Sequence, residues 1–74
     1  MLRNEVTIRA FGRHLAQLRK ARGWSQQALA DSADVAQSTI KRIELCRLAP
    51  TLDVLASLAF ALEIPLGELL TFPT

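Results

Sequence analysis

An all-α domain of five helices is what this sequence predicts, and three observations carry the expectation. Apolar residues recur at spacings of three and four along most of the chain. No stretch of useful length alternates apolar and polar with the period of a strand. Gly, Ser, Thr and Pro punctuate the pattern where helices start and stop.

The elements follow in order. Ile8, Phe11, Leu15 and Leu18 form one stripe of an amphipathic first helix over about 7–22. Gly23 ends it, at a position where positive φ is wanted. Ser25 caps a second helix, about 26–33, by offering its hydroxyl to free backbone N–H groups. Trp24 and Leu29 flank that cap as a hydrophobic staple. A break at Asp34, Val35 and Ala36 leads into a third helix, about 37–45, with Ile40 and Ile43 inward and Val35 stapled to Ile40. Pro50 bars Ala49 from the α conformation, so 46–50 is a loop. Thr51 caps a fourth helix, about 52–62, and Pro65 opens a short fifth, about 66–70. With no repeat, linker or low-complexity segment, residues 1–74 read as a single domain.

Composition narrows the function classes. Half of the 74 residues are apolar, which excludes an intrinsically disordered chain. A folded chain this short buries only roughly 60% of its unfolded surface and leaves no room for an enzyme's deep pocket. Ser, His and Asp are present, but each has a structural reading, and no catalytic constellation emerges. His14 is the single histidine and lacks companions for a metal site; it is expected at the surface or at the edge of the core. Cys46 is the single cysteine, so neither an intrachain disulfide nor a cysteine-based zinc site is expected. No cofactor is implied. Without a signal-peptide pattern the chain is expected in a reducing cytoplasm, and its apolar runs fall far short of the ~20 residues of a membrane span. Phe11 and Trp24 lie on apolar faces and read as core rather than as stacking platforms for bases.

Charge is unevenly spread. Residues 1–47 hold all nine basic and four acidic residues, a balance of +5; residues 48–74 hold three acids and no base, a balance of −3. An anion-facing half and a second half with another task are expected.

The informative unit is 26–45, two short helices about a tight turn, with Leu29, Ala30, Ala33, Val35, Ile40 and Ile43 apolar or small on their inner sides. Ala30 is small where the helices would cross, and Val35 plugs the corner. Such a pair holds its second helix in a form that fits the B-DNA major groove, about 12 Å wide. The stretches LRKARGWSQQALA (18–30), VAQSTIKRIE (35–44), PTL (50–52) and ALEIPLGELL (61–70) resemble, in order and spacing, the lambda-repressor-like or Cro/XRE-type helix-turn-helix domains. The resemblance covers 11–70, about four fifths of the chain.

That resemblance implies a division of roles. Gln37, Ser38 and Arg42 would enter the groove, with Gln37 suited to adenine, Arg42 to guanine, and Ala36 to a thymine methyl. Ser25, Gln26 and Thr39 would hold phosphates, joined by Lys41 and Arg47. Arg19 and Glu44 match a family salt bridge between the first helix and the end of the third. Three positions depart from the family pattern. Asp34 stands where Gly is usual, Ala36 replaces a Ser or Thr cap, and Leu45, Cys46 and Leu48 replace polar residues and Gly. The last three are expected to complete the core, with a partner subunit as the alternative.

The fourth helix carries surplus apolar surface. Leu55, Leu58, Ala59 and Leu62 suffice for an inward face, while Phe60 lies off it with Ile64 one turn on. Together with Leu66, Leu69 and Phe72, they are expected to form a homodimer interface, unless the tail 71–74 folds over Phe60. The whole implies a bacterial or phage-encoded transcriptional regulator, cytoplasmic and working on the nucleoid. It would bind a pseudo-palindromic double-stranded operator as a homodimer, most often blocking polymerase, as restriction–modification controller proteins and phage repressors do. An antitoxin that also covers a toxin, or an interaction module that does not bind DNA, are the alternatives. At this length no ligand-sensing domain is expected, so control would come from concentration or from a partner protein.

Overall fold

The computed structural model describes residues 4–74. Five helices follow one another, α1 Glu5–Ala21, α2 Gln26–Ala33, α3 Gln37–Glu44, α4 Leu52–Ala61 and α5 Leu66–Leu69, with no strand among the described residues. The first helix starts two residues earlier than its apolar stripe suggests. Asn4 caps it, its side-chain oxygen accepting from the Thr7 N–H at 3.0 Å. Ser25 and Thr51 cap α2 and α4 in the same way, accepting from the N–H groups of Ala28 and Val54. Ala36 begins α3 with no side-chain cap.

Four helices end alike. After α1, α2, α3 and α4 a residue with positive φ reverses the chain: Gly23 (73°), Asp34 (56°), Cys46 (62°) and Glu63 (57°). The next N–H then reaches back to a carbonyl five residues earlier, Trp24 to Arg19, Val35 to Ala30, Arg47 to Arg42 and Ile64 to Ala59. This closure satisfies carbonyls that the helix end would leave open. Only the first of the four uses Gly, so three side chains sit in a conformation L-residues rarely adopt.

One core lies between the helices. Leu15, Leu29, Ile40, Ile43, Leu58 and Leu69 are its fully enclosed large side chains, with Phe11, Ala30 and Leu62 packed among them. α2 packs on both α3 and α4, α1 on α3, and α5 on α4. The α1–α3 contact is set by Gly12, where a Cβ would lie 2.6 Å from the Ile43 carbonyl oxygen, inside contact distance. Arg22 ties the end of α1 to the end of α4, donating to the Leu62 carbonyl at 2.9 Å and pairing with Glu63 at 3.3 Å. Its guanidinium also lies 4.6 Å from the Trp24 ring centre.

Several expectations are corrected here. Leu69 is 0% exposed, so it cannot present surface to a partner; its short helix folds onto α4 and delivers it into the core. Ile64, Leu66 and Phe72 are half-buried against that same core. The tail does not cover Phe60. Instead it returns to α1, where the Phe72 ring lies 5.7 Å from that of Phe11 and 5.3 Å from His14. Leu45 is 49% exposed rather than core, because it closes α3 on the side opposite Ile40 and Ile43. Cys46 and Leu48 are half-buried, and of the two only Leu48 packs against the core.

Candidate nucleic-acid interface

The outward side of α3 is built by exclusion. Ile40 and Ile43 are drawn into the core, and at about 100° per residue they lie opposite the sector holding Gln37, Ser38, Lys41 and Arg42. All four of those side chains are exposed, as is Ala36 just before them. Thr39, on the flank, is half-buried, and its N–H bonds the Ala36 carbonyl at 3.0 Å. Arg47 follows the reversal at Cys46 and is exposed. Polar and cationic groups therefore gather on one side of an eight-residue helix whose other side is anchored.

Start of α2 and end of α3 meet at a buried carboxylate. Arg19, only 8% exposed, donates from Nε to Glu44 Oε2 at 2.7 Å and from Nη2 to Oε1 at 2.9 Å. Its remaining nitrogen, Nη1, donates to the Trp24 carbonyl at 2.8 Å. Gln26 Nε2 donates to Glu44 Oε1 at 3.0 Å. The hydrogen bond to Glu44 pushes the Arg19 pKa up, more than burial pulls it down. Burial pushes Glu44 the other way, toward the neutral acid. The hydrogen bonds from Arg19 and Gln26, with the charges of Arg19 and Lys20, outweigh this and hold its pKa below the ordinary 4.5. Arg19 is thus spent on the fold, and so is Arg22. Among the described residues the outward positive charge falls to Arg9, Arg13, Lys20, Lys41, Arg42 and Arg47, all exposed.

Ser25 is half committed, its oxygen accepting the Ala28 N–H while its own O–H stays available to donate. Gln26, expected at a phosphate, is engaged with Glu44 through one amide hydrogen and keeps the other. Sequence reasoning missed that link, since nothing in the spacing of residues 26 and 44 signals it. It also missed Arg22, which reads as one more surface cation until Glu63 is placed beside it. His14 is half-buried against Phe72, and its Nε2 is enclosed without a hydrogen-bond partner. Among the described residues no group of His, Cys, Asp or Glu is placed to hold a metal ion, and no helix is long and apolar enough to cross a membrane.

Two short helices about a tight turn, the second anchored on one side and polar on the other, define a helix-turn-helix nucleic-acid-binding protein. Comparisons with known proteins agree. The sequence pattern of the helix-turn-helix domain family matches residues 10–72. The restriction–modification controller protein C.AhdI of Aeromonas hydrophila superposes with a TM-score of 0.83 at 33% identity, covering 86% of this chain and 97% of its own. The hypothetical transcription factor NHTF from Neisseria gives 0.83 at 27% identity, covering 99% of this chain and 85% of its own. The HTH-type transcriptional regulator SutR of Escherichia coli (strain K12) is 34% identical over 69 residues, 93% of this chain. The chain spans 39% of SutR's length. The chain therefore belongs to the helix-turn-helix domain family.

Proposed function

We propose that the chain binds a pseudo-palindromic double-stranded operator as a homodimer and represses transcription by occupying it, in the manner of Cro/XRE-type controller proteins. The observation that carries this reading is the outward side of α3, where Gln37, Ser38, Lys41 and Arg42 are exposed together and away from the core. In the major groove Gln37 pairs with adenine, Arg42 with guanine, Ser38 with either neighbour, and the Ala36 methyl meets a thymine methyl. Ser25, Gln26, Thr39, Lys41 and Arg47 hold the flanking phosphates and fix the register. Arg19 and Glu44 keep α3 at the angle this requires without touching DNA.

Dimerisation is supported by α4. Phe60 is 84% exposed and Leu52 is 68% exposed on the outer side of that helix, a cost in water that a second copy removes. Phe60 anchors the interface, with the exposed edges of Ile64 and Leu66 beside it. Two copies then present two recognition helices to half-sites about one helical turn apart.

Salt dependence tests the reading. On a mixed-sequence duplex, log affinity falls linearly with log salt, and Lys41→Ala or Arg47→Ala lowers the slope by about one. A wild-type chain that fails to bind the duplex even at low salt would remove the DNA-binding assignment.

A further inference from the structure

The ion pair between α1 and α3 has a third member, the Gln26 amide. Glu44 Oε2 is occupied by Arg19 Nε at 2.7 Å and Oε1 by Arg19 Nη2 at 2.9 Å, a two-pronged contact that already neutralises the carboxylate. Gln26 adds a further donor to Oε1 at 3.0 Å. A glutamine at the first position of a helix would otherwise sample several rotamers at the surface. Here it is half-buried and hydrogen-bonded to a carboxylate that is itself gripped from the last turn of α1. The same guanidinium reaches the Trp24 carbonyl, so the segment that leads into α2 is fixed by the same cluster. One hydrogen of the Gln26 amide faces Glu44, and the other has no partner among the described residues.

We propose that Glu44 is a positioning residue for phosphate binding, holding the Gln26 side-chain amide so that its free N–H is aimed at the DNA backbone. This rests on the DNA-binding reading above and deepens it: the buried pair sets affinity as well as stability. In solution, an amide fixed before binding loses little freedom when the phosphate arrives. Glu44 touches no DNA and acts through Gln26.

A double-mutant cycle tests it. Gln26→Ala removes the amide. Glu44→Asp keeps the charge opposite Arg19 but is one methylene too short to reach Gln26 as well. Affinity for a mixed-sequence duplex is measured at several salt concentrations, for variants shown by thermal melting to be folded at the assay temperature. Each single change is expected to weaken binding about fivefold, the effect of one hydrogen bond. The double variant is expected to be no weaker than either single one, and the salt slope unchanged, since no charge is altered. Equal losses from Glu44→Asp with and without Gln26 would mean a purely structural carboxylate and overturn the inference. So would full affinity in Gln26→Ala. Should Glu44→Asp not fold, Glu44→Gln, which keeps the side-chain length but not its two acceptor oxygens, enters the cycle with the same expected coupling. A wild type that does not bind the duplex at all sinks the DNA-binding reading itself, which distinguishes the two failures.

Discussion

α3 and α4 are packed by the same means and present opposite surfaces. Each buries an apolar side in the shared core, α3 through Ile40 and Ile43, α4 through Leu58 and Ala59. Each ends in the same reversal, at Cys46 and at Glu63. On the outside, α3 shows Gln37, Ser38, Lys41 and Arg42, whereas α4 shows Leu52, Ala56 and Phe60 with Asp53. A helix needs only one buried side to be held, so what it shows on the other is free to serve binding. The outer surfaces differ accordingly, polar and cationic on α3 and largely apolar on α4, and the proposed function gives the first to an anionic groove and the second to another copy of the chain.

The largest expected effect lies in the cluster that orients α3. Arg19→Ala leaves the enclosed Glu44 carboxylate without its cation and is expected to cost about 3 kcal/mol, a fall of more than about 10 °C in the thermal midpoint. An unchanged midpoint would contradict the account. pH gives an independent reading of the same contact. Because the folded state holds the Glu44 pKa below its ordinary 4.5, the pair's stabilisation is full above that value and is lost as pH falls through the lower, folded one. Unfolding in denaturant at a series of pH values should show wild-type stability declining below about pH 4.5, with a shallower decline in Arg19→Ala.

Next comes the spacing of α1 and α3. Gly12→Ala gains helix propensity of about 1 kcal/mol, yet its Cβ would meet the Ile43 carbonyl oxygen at 2.6 Å. The helices must part, with a net loss expected at about 1–2 kcal/mol and weaker DNA binding because α3 moves. A variant as stable as wild type would show that this approach is not tight. On α4 the expectation is reversed. Phe60→Ser should change the stability of the single chain by no more than about 0.5 kcal/mol, since the ring is 84% exposed there, while abolishing the dimer in sedimentation and with it any stability that dimerisation adds. A wild type that is monomeric at every concentration would contradict the homodimer. The smallest effect is at the head of α3, where Ala36→Ser supplies the missing cap and should raise stability by about 1 kcal/mol in a thermal melt.

Much of this was legible in the sequence, and the misses have physical causes. Five helices in order follow from apolar spacing and from Ser25, Thr51, Gly23 and Pro65, because caps and breakers act locally. The positive φ at Asp34 was also readable, from the family's usual Gly at that position. That at Cys46 was hinted at by the Gly the family carries among the positions of Leu45, Cys46 and Leu48, whereas nothing in the residue type signals the reversal at Glu63. Gly12 could have been found, as a glycine inside a helix forfeits stability unless a close approach requires it. Leu69 was assigned to an interface from apolarity alone, which does not distinguish a core side chain from an exposed one. The Gln26–Glu44 link and the Arg22–Glu63 tie join residues 18 and 41 positions apart, which only the fold brings together.

The central claim is that the outer side of α3 reads base sequence. Selection from a pool of random duplexes near physiological salt, run on wild type and on Gln37→Ala/Arg42→Ala, tests it most directly. The account expects wild type to enrich a pseudo-palindrome with half-sites about one helical turn apart, and the double variant to keep its fold and lose the motif. A motif enriched equally by both proteins, or none enriched by wild type, would contradict it.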